Sequence, residues 1–321
     1  MKFDKIDKDI LYYMDLEIPF RYSNIAKKIK KSKSFVEFRT KRMLDNEVIL
    51  EFFPIFDVGK MGFFVYDLYI LTKGNSEQEK LIIDYFKNNK LTNCIELVVG
   101  AYNLYISFFV KNMYDFENLM IKFTSKFENI ILKYDVELIS RNYTCAHNYL
   151  GYKKPILTHN PNYELKTDVE INEKEKRLIK VLADDPTRTY VDLAKETSMN
   201  VKTVISYMKQ LLEKRIIYAI RPSVNSNKLG YITKHMIVSL RRRMYHKKEE
   251  VIKYFLEHNS TMFISSYLNR SGFSTEVVFK NIEEERAFER NLISKFSDCI
   301  KETTYLDKYK EIMYTYLPSE F

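Results

Sequence analysis

Tryptophan is absent from this 321-residue chain, and three cysteines, seven glycines and seven prolines are few for its length. Cys94, Cys145 and Cys299 are scattered with no Cys-x-x-Cys pair, which argues against a disulfide framework and a zinc ribbon. So little glycine and proline excludes collagen-like and low-complexity sequence. No stretch approaches the roughly 18 uninterrupted apolar residues that a membrane span needs. The charged start, MKFDKIDKD, is not followed by an apolar run of signal-peptide type. These absences predict a cytoplasmic, soluble, reduced protein with no membrane partner.

Signatures of catalysis are missing as well. The chain has no Gly-x-Ser-x-Gly, no phosphate-cradling Gly-x4-Gly-Lys and no Gly-x-Gly-x-x-Gly. Its histidines, His147, His159, His235, His246 and His258, include no pair at helical metal spacing. Cys145, two residues before His147, reads as incidental. The expectation is a protein that is not an enzyme, with no catalytic residues, metal or cofactor.

What is present is charge and repetition. Lys and Arg number 52 against 43 Asp and Glu, a net charge of +9 that suggests a polyanionic partner. Asn24-Ile25-Ala26-Lys27 returns as Asp192-Leu193-Ala194-Lys195. The same offset carries Asp4 to Asn172, Ile10 to Leu178, Tyr22 to Tyr190, Lys41 to Lys209, Ile49 to Ile217 and Gly62 to Gly230. Further on, Ser125-Lys126-Phe127 matches Ser294-Lys295-Phe296 one residue out of step, so a small indel separates the second halves. Two tandem copies are expected. Residues 1–50 form a first helix-turn-helix and 51–147 a first sandwich; 148–167, with Gly151, Pro155 and Pro161, form a linker. Residues 168–218 form a second helix-turn-helix and 219–321 a second sandwich.

Each copy opens with three short helices. Asp4 with Asp7, and Asn172 with Glu175, place a capping oxygen at a helix start and an acid three residues on. Second helices begin near Ser23 and near Thr189; third helices run from about Ser34 to Asp45 and from about Val201 to Lys214. Val36, Thr40 and Met43 share one face of the first of these, as do Val204, Met208 and Leu211 of the second. That is the helix-turn-helix pattern. A β-α-β-β-α-β order follows in each copy, with strands over 62–71, 93–99, 102–110 and 130–139, then over 232–240, 261–267, 273–280 and 299–306.

This arrangement resembles the leucine-responsive regulatory protein and asparagine-regulator (Lrp/AsnC) family of archaeal and bacterial transcription factors. The resemblance is carried by Asp4 to Leu11, Asn24 to Ile29, Lys41 to Ile49 and Val99-Gly100-Ala101-Tyr102-Asn103, in a tandem form. It implies an α+β fold: two copies of a winged-type helix-turn-helix followed by a ferredoxin-like βαββαβ sandwich, with sheets that face each other in dimers. It also implies regulation of transcription on duplex DNA, and an effector site at Gly100, Ala101, Tyr102 and Asn103. The chain departs from the family in three places. Glu47 and Arg215 stand where a glycine is usual before the strand, Asn103 replaces the aspartate of Gly-x-Tyr-Asp, and copy two has Asn269-Arg270-Ser271-Gly272 there.

Charge placement selects the partner. Residues 21–42 hold nine cations against Glu37 alone, whereas 189–210 hold Lys195, Lys202 and Lys209 against Asp192 and Glu196. Phosphate contacts supply most non-specific DNA affinity, so the first head is expected to grip DNA and the second only weakly. With the third helix in the major groove, Ser34, Glu37, Phe38, Lys41 and Arg42 are candidates to touch DNA, and Lys31 and Lys33 suit phosphates. Packing of Phe38 on the first helix is the alternative for that ring. Lys202, Thr203, Ser206 and Lys209 are the matching positions in copy two, and the apolar Ile205 hints that this face meets protein. Arg241-Arg242-Arg243 with Lys247-Lys248 reads as a solvated strand end, with nucleic acid or an acidic protein surface as the alternative partner. Two alternatives stay open: a siroheme-decarboxylase-like tetrapyrrole enzyme of the same architecture, for which His235 is the candidate residue, and an interaction scaffold on the transcription machinery.

Overall fold

The structure is a computed structural model and describes residues 3–16, 21–74, 76–152, 157–159 and 169–321. Three helices come first, α1 (Lys5–Leu16), α2 (Tyr22–Lys28) and α3 (Lys33–Asp45), followed by strand β1 (Ile49–Phe56). The Asp4 carboxylate accepts the Ile6 and Asp7 amides at 2.8 and 3.1 Å and starts α1; the Ser32 hydroxyl accepts the Phe35 amide at 3.1 Å and starts α3. Ile10, Leu11 and Met14 bury against Ile25, Val36 and Met43, so the helical spacing read from the sequence is the core of this head.

Next come β2 (Phe64–Thr72), α4 (Ser76–Lys87), β3 (Thr92–Gly100), β4 (Leu104–Val110), α5 (Met113–Phe127), β5 (Ile131–Cys145) and a short β6 (Leu157–His159) on the end of β5. The second head is α6 (Glu173–Asp184), α7 (Tyr190–Thr197) and α8 (Val201–Glu213), followed by β7 (Ile217–Val224). Asn172 with Glu175, and Thr189 with Asp192, form reciprocal capping boxes at α6 and α7. The chain ends with β8 (Ile232–Leu240), α9 (Lys248–Leu256), β9 (Thr261–Tyr267), β10 (Gly272–Phe279), α10 (Ile282–Phe296) and β11 (Ile300–Tyr314). The expected linker keeps Asn148 and Leu150 buried in a 3₁₀ turn; its Pro155 and Pro161 lie outside the described residues.

Two separate sandwiches were expected, and the structure corrects this. Strands β2-β4-β3-β11-β8-β10-β9-β5 join in that order, and β5 returns to β2, so eight strands close one barrel. The cause is the length of the last strand in each half. β5 pairs with β2 through Ile139 and then with β9 from Ile139 to Thr144. β11 pairs with β8 up to Leu306 and then with β3 from Leu306 to Tyr314. Each runs well past the ends expected at residues 139 and 306, and closure leaves the barrel no open edge. Helices α4 and α5 cover one side through Phe86, Phe116 and Phe123, and α9 and α10 cover the other through Phe255, Phe288 and Phe296.

The heads are joined by a ribbon. β1 and β7 pair antiparallel with Phe52 opposite Pro222, and the expected domain edges at 50 and 218 fall inside these two strands. The tight turns leading into them place Glu47 at φ +55° and Arg215 at φ +53°. Backbone of that hand is glycine territory, which is the physical content of the departure noted at both positions.

Candidate nucleic-acid interface and barrel cavity

In the first head, Lys27, Lys30, Lys31 and Lys41 are exposed, as are Ser34 and Phe38. Phe38 is 63% exposed, so it does not pack on α1 and its ring stands free on the outer face of α3. The two arginines of α3 are committed elsewhere. Arg39 Nε donates to the buried Asp7 carboxylate at 2.8 Å, and Arg39 also bonds Asp4. Arg42 Nη2 sits 3.0 and 3.2 Å from the two Asp7 oxygens. The arginine expected on DNA is therefore tied to α1. Lys33 pairs with Glu37 at 3.1 Å on the surface, a contact worth little in water. What projects freely is a lysine set around the turn and α3.

The second head presents Lys202, Ser206 and Lys209 exposed, with Thr203 half-buried. Lys209 lies 3.6 Å from Glu213, and Ile205 is 45% exposed on the same helix. In the 241–248 cluster, Arg241, Arg242 and Arg243 are exposed, whereas Lys248 is buried with its ammonium on the Tyr267 carbonyl. Burial pushes that lysine down to about 8.

The residues expected to hold an effector make structural contacts. Gly100 at φ +144° packs on β11, where a Cβ would stand 2.5 Å from the Tyr305 carbonyl oxygen. The Tyr102 hydroxyl donates to Asp135 and accepts from Lys133 at 2.8 Å. The Asn103 amide oxygen accepts the Thr72 amide at 2.8 Å, and its nitrogen donates to Thr72 Oγ1 at 2.6 Å and to Glu79. Ala101 is exposed, and none of the four lines the cavity described next.

The barrel encloses a cavity of about 410 Å³ whose end is covered by the β1–β7 ribbon through Phe53, Pro54 and Pro222. Strand alternation builds it: Val65, Asp67 and Tyr69 of β2 point in, while Tyr66, Leu68 and Ile70 point out onto the helices. The same alternation brings Glu96, His235, Glu276 and Lys308 to the wall. Burial raises Asp67 to about 7 despite hydrogen bonds from Ser107 and, at 2.9 Å, Tyr105. Glu276 is likewise raised to about 7 by burial, against the charge of Lys308. Burial drives His235 down to about 4, leaving it neutral. The cations of the wall are already engaged. Lys308 pairs with Glu96 and, at 2.9 Å, with Glu311. Arg221 lies 2.7 Å from Asp15, which also holds His147 at 2.8 Å. Of these residues only His235 was singled out from the sequence. A lone acid inside an apolar strand, as in Val-Tyr-Asp67-Leu-Tyr or Cys-Ile-Glu96-Leu-Val, is the signal that marks the others.

Comparison with known proteins bears on both sites. Residues 171–218 match the family described as winged helix-turn-helix DNA-binding. An HTH-type transcriptional regulator of Pyrococcus furiosus is 25% identical over 129 residues, 40% of this chain and 85% of the relative. One from Pyrococcus horikoshii is 22% identical over 130 residues, 40% of this chain and 82% of the relative. Among solved structures, the siroheme decarboxylase NirDL covers 98% of this chain and 94% of its own, with a TM-score of 0.63 at 13% identity. The chain is thus a mixed α+β protein with a winged helix-turn-helix, similar in sequence to transcription regulators. The expectation that it is not an enzyme is corrected: an enzyme shares its fold over nearly the whole length. In the cavity wall, Lys308, Arg221 and His147 are each held by an acid.

Proposed function

We propose that this protein is a DNA-binding transcription regulator of the Lrp/AsnC type, built from two tandem copies of one unit and gripping duplex DNA mainly through its first head. The observation that carries this is the set of exposed lysines, Lys27, Lys30, Lys31 and Lys41, on a helix-turn-helix surface without an acidic partner among the described residues. Similarity to two archaeal regulators supports it. In this reading Lys31 and Lys33 contact phosphates, Lys41 and Ser34 reach base edges, and Phe38 meets a thymine methyl. Glu37 borders the groove paired to Lys33, and Arg42 orients α3 through Asp7. Lys202, Thr203, Ser206 and Lys209 form a weaker second head whose Ile205 meets protein. Closure of one barrel by both halves supports a pseudo-dimer within a single chain, working in the cytoplasm on an asymmetric DNA site.

The test is duplex binding against salt for the native chain and two variants. One carries Lys27→Glu, Lys31→Glu and Lys41→Glu; the other carries Lys202→Glu and Lys209→Glu. The first is expected to abolish binding, and the second to weaken it slightly. The native salt slope should exceed that of the single variant Lys31→Ala by about 0.9, one phosphate contact. Absence of salt-dependent binding by the native chain, or equal loss in both multiple variants, overturns the proposal.

A further inference from the structure

The barrel interior holds more hydrogen-bond acceptors than the chain satisfies. Glu276 of β10 stands opposite His235 of β8 and Phe263 of β9, and among the described residues no group donates a hydrogen bond to its carboxylate. Asn93, 5% exposed at an irregularity in β3, lines the cavity and has an amide oxygen with no partner. Buried Nε2 of His235 is also unpartnered, and its ring lies between Tyr105 and Phe263, with centroids at 6.4 and 6.1 Å. Among the described residues no group of three His, Cys, Asp or Glu is placed to hold a metal ion. A guest that completes this lining brings N–H donors and positive charge at one end, and an apolar body for the aromatic wall at the other.

We propose that the barrel cavity is a binding site for a small organic cation, a primary amine on an alkyl or aryl body. Its ammonium is held by Glu276 beside Glu96, and its body lies against Tyr105 and Phe263. The volume suits such a molecule, since small-molecule pockets run from about 300 to 1,000 Å³. The charges agree. Glu276 faces neutral His235 from β8, and Lys308 from β11 is shared between Glu96 and Glu311. Asp67 already accepts from Tyr105 and Ser107, so Glu276 is the acid left to pair with the ligand. Because burial holds the Glu276 proton on up to about pH 7, an incoming ammonium displaces it, and binding releases a proton to the buffer.

Isothermal titration calorimetry on the full chain tests this without DNA, so its failure and that of the regulator reading are separate. The probes are 2-phenylethylamine and 1,4-diaminobutane, with phenylacetate and uroporphyrin III as anionic counterparts, each near pH 6.5 in two buffers of different ionisation heat. The amines are expected to bind one per chain with proton release, and the anions not to bind. Glu276→Gln should weaken amine binding at least about tenfold, the scale of one desolvated charge contact. Lys308→Met, which frees Glu96, should tighten it, so the proposal has a second variant if the first does not fold. Amines that fail to bind up to about 10 mM, an affinity unchanged by Glu276→Gln, or anions that bind as well as amines, overturn the proposal.

Discussion

Arg221→Met is the substitution from which most is expected. Arg221 is 2% exposed in β7, and its Nε and Nη2 donate to Asp15 Oδ1 at 2.9 and 2.7 Å. Its Nη1 donates to the Cys145 carbonyl at 2.8 Å. The other Asp15 oxygen accepts the His147 amide at 2.9 Å and lies 2.8 Å from its Nδ1. One buried carboxylate therefore joins α1 of the first head, the end of β5 and the ribbon strand of the second head. Burial alone would raise Asp15; Arg221 and His147 overcome it and hold the acid far below its usual range.

Methionine keeps the apolar bulk of the arginine stem and leaves Asp15 buried without its main counter-charge. Removing one partner of a buried pair costs about 3–5 kcal/mol. At about 2.1 cal/mol/K of unfolding entropy per residue, a chain of this size loses about 1.5 °C per kcal/mol, so a drop of roughly 5–7 °C in Tm is expected by circular dichroism. Replacing both partners, Asp15→Leu with Arg221→Met, should recover most of the loss, because an apolar pair of similar volume is often neutral. The cycle should show a coupling above about 2 kcal/mol. A group with a lowered folded pKa contributes stability that is present above its unfolded value and lost as pH falls through the folded one. The native chain should therefore weaken below about pH 4 by an amount that the double variant lacks. A single-variant loss under about 1 kcal/mol, or additive losses in the cycle, refutes the argument.

Three further outcomes follow from local geometry. Gly272→Ala places a Cβ 2.3 Å from the Val238 carbonyl oxygen, and Gly100→Ala meets the Tyr305 carbonyl at 2.5 Å; each should cost more than about 2 kcal/mol in denaturant melts, and a neutral result would mean the strands can part there. Glu47→Gly and Arg215→Gly relieve left-handed backbone and should each be neutral to stabilising by about 1 kcal/mol, a clear loss contradicting the strain account. Asp67 is an acid whose folded pKa is raised to about 7, so its contribution is present below about pH 4 and is lost as pH rises to 7; Asp67→Asn should flatten that slope, of order 4 kcal/mol at most, in a stability series from pH 4 to 8.

Local signals in the sequence located the helices and the first part of most strands because each rests on contacts within a few residues. The Asn172–Glu175 capping box and the start of α7 at Thr189 need nothing from the rest of the chain. The barrel does. Residues 140–145 and 307–314 carry polar side chains such as Arg141, Asn142, Lys308 and Lys310, which gives no apolar alternation to extend a strand. Their hydrogen bonds come from strands more than a hundred residues away, at β9 and β3. The ribbon was hidden for the same reason, since β1 finds its partner only in β7.

The candidate interface was legible in charge but not in pairing. Counting cations over 21–42 identified the basic head, yet the count treats Arg42 and Lys41 alike, and only the fold shows that Arg42 is committed to Asp7 while Lys41 is exposed. That distinction changes which residues test the function: reversing Arg42 breaks a buried contact and damages the head itself, whereas reversing the exposed Lys41 leaves the head intact and alters only what the DNA meets. The cavity shows the converse. Asp67, Glu96 and Glu276 each interrupt an apolar strand at an inward position, where burying an acid costs free energy unless a partner meets it. Read singly they are three unrelated acids; closure of the barrel is what brings them to one cavity.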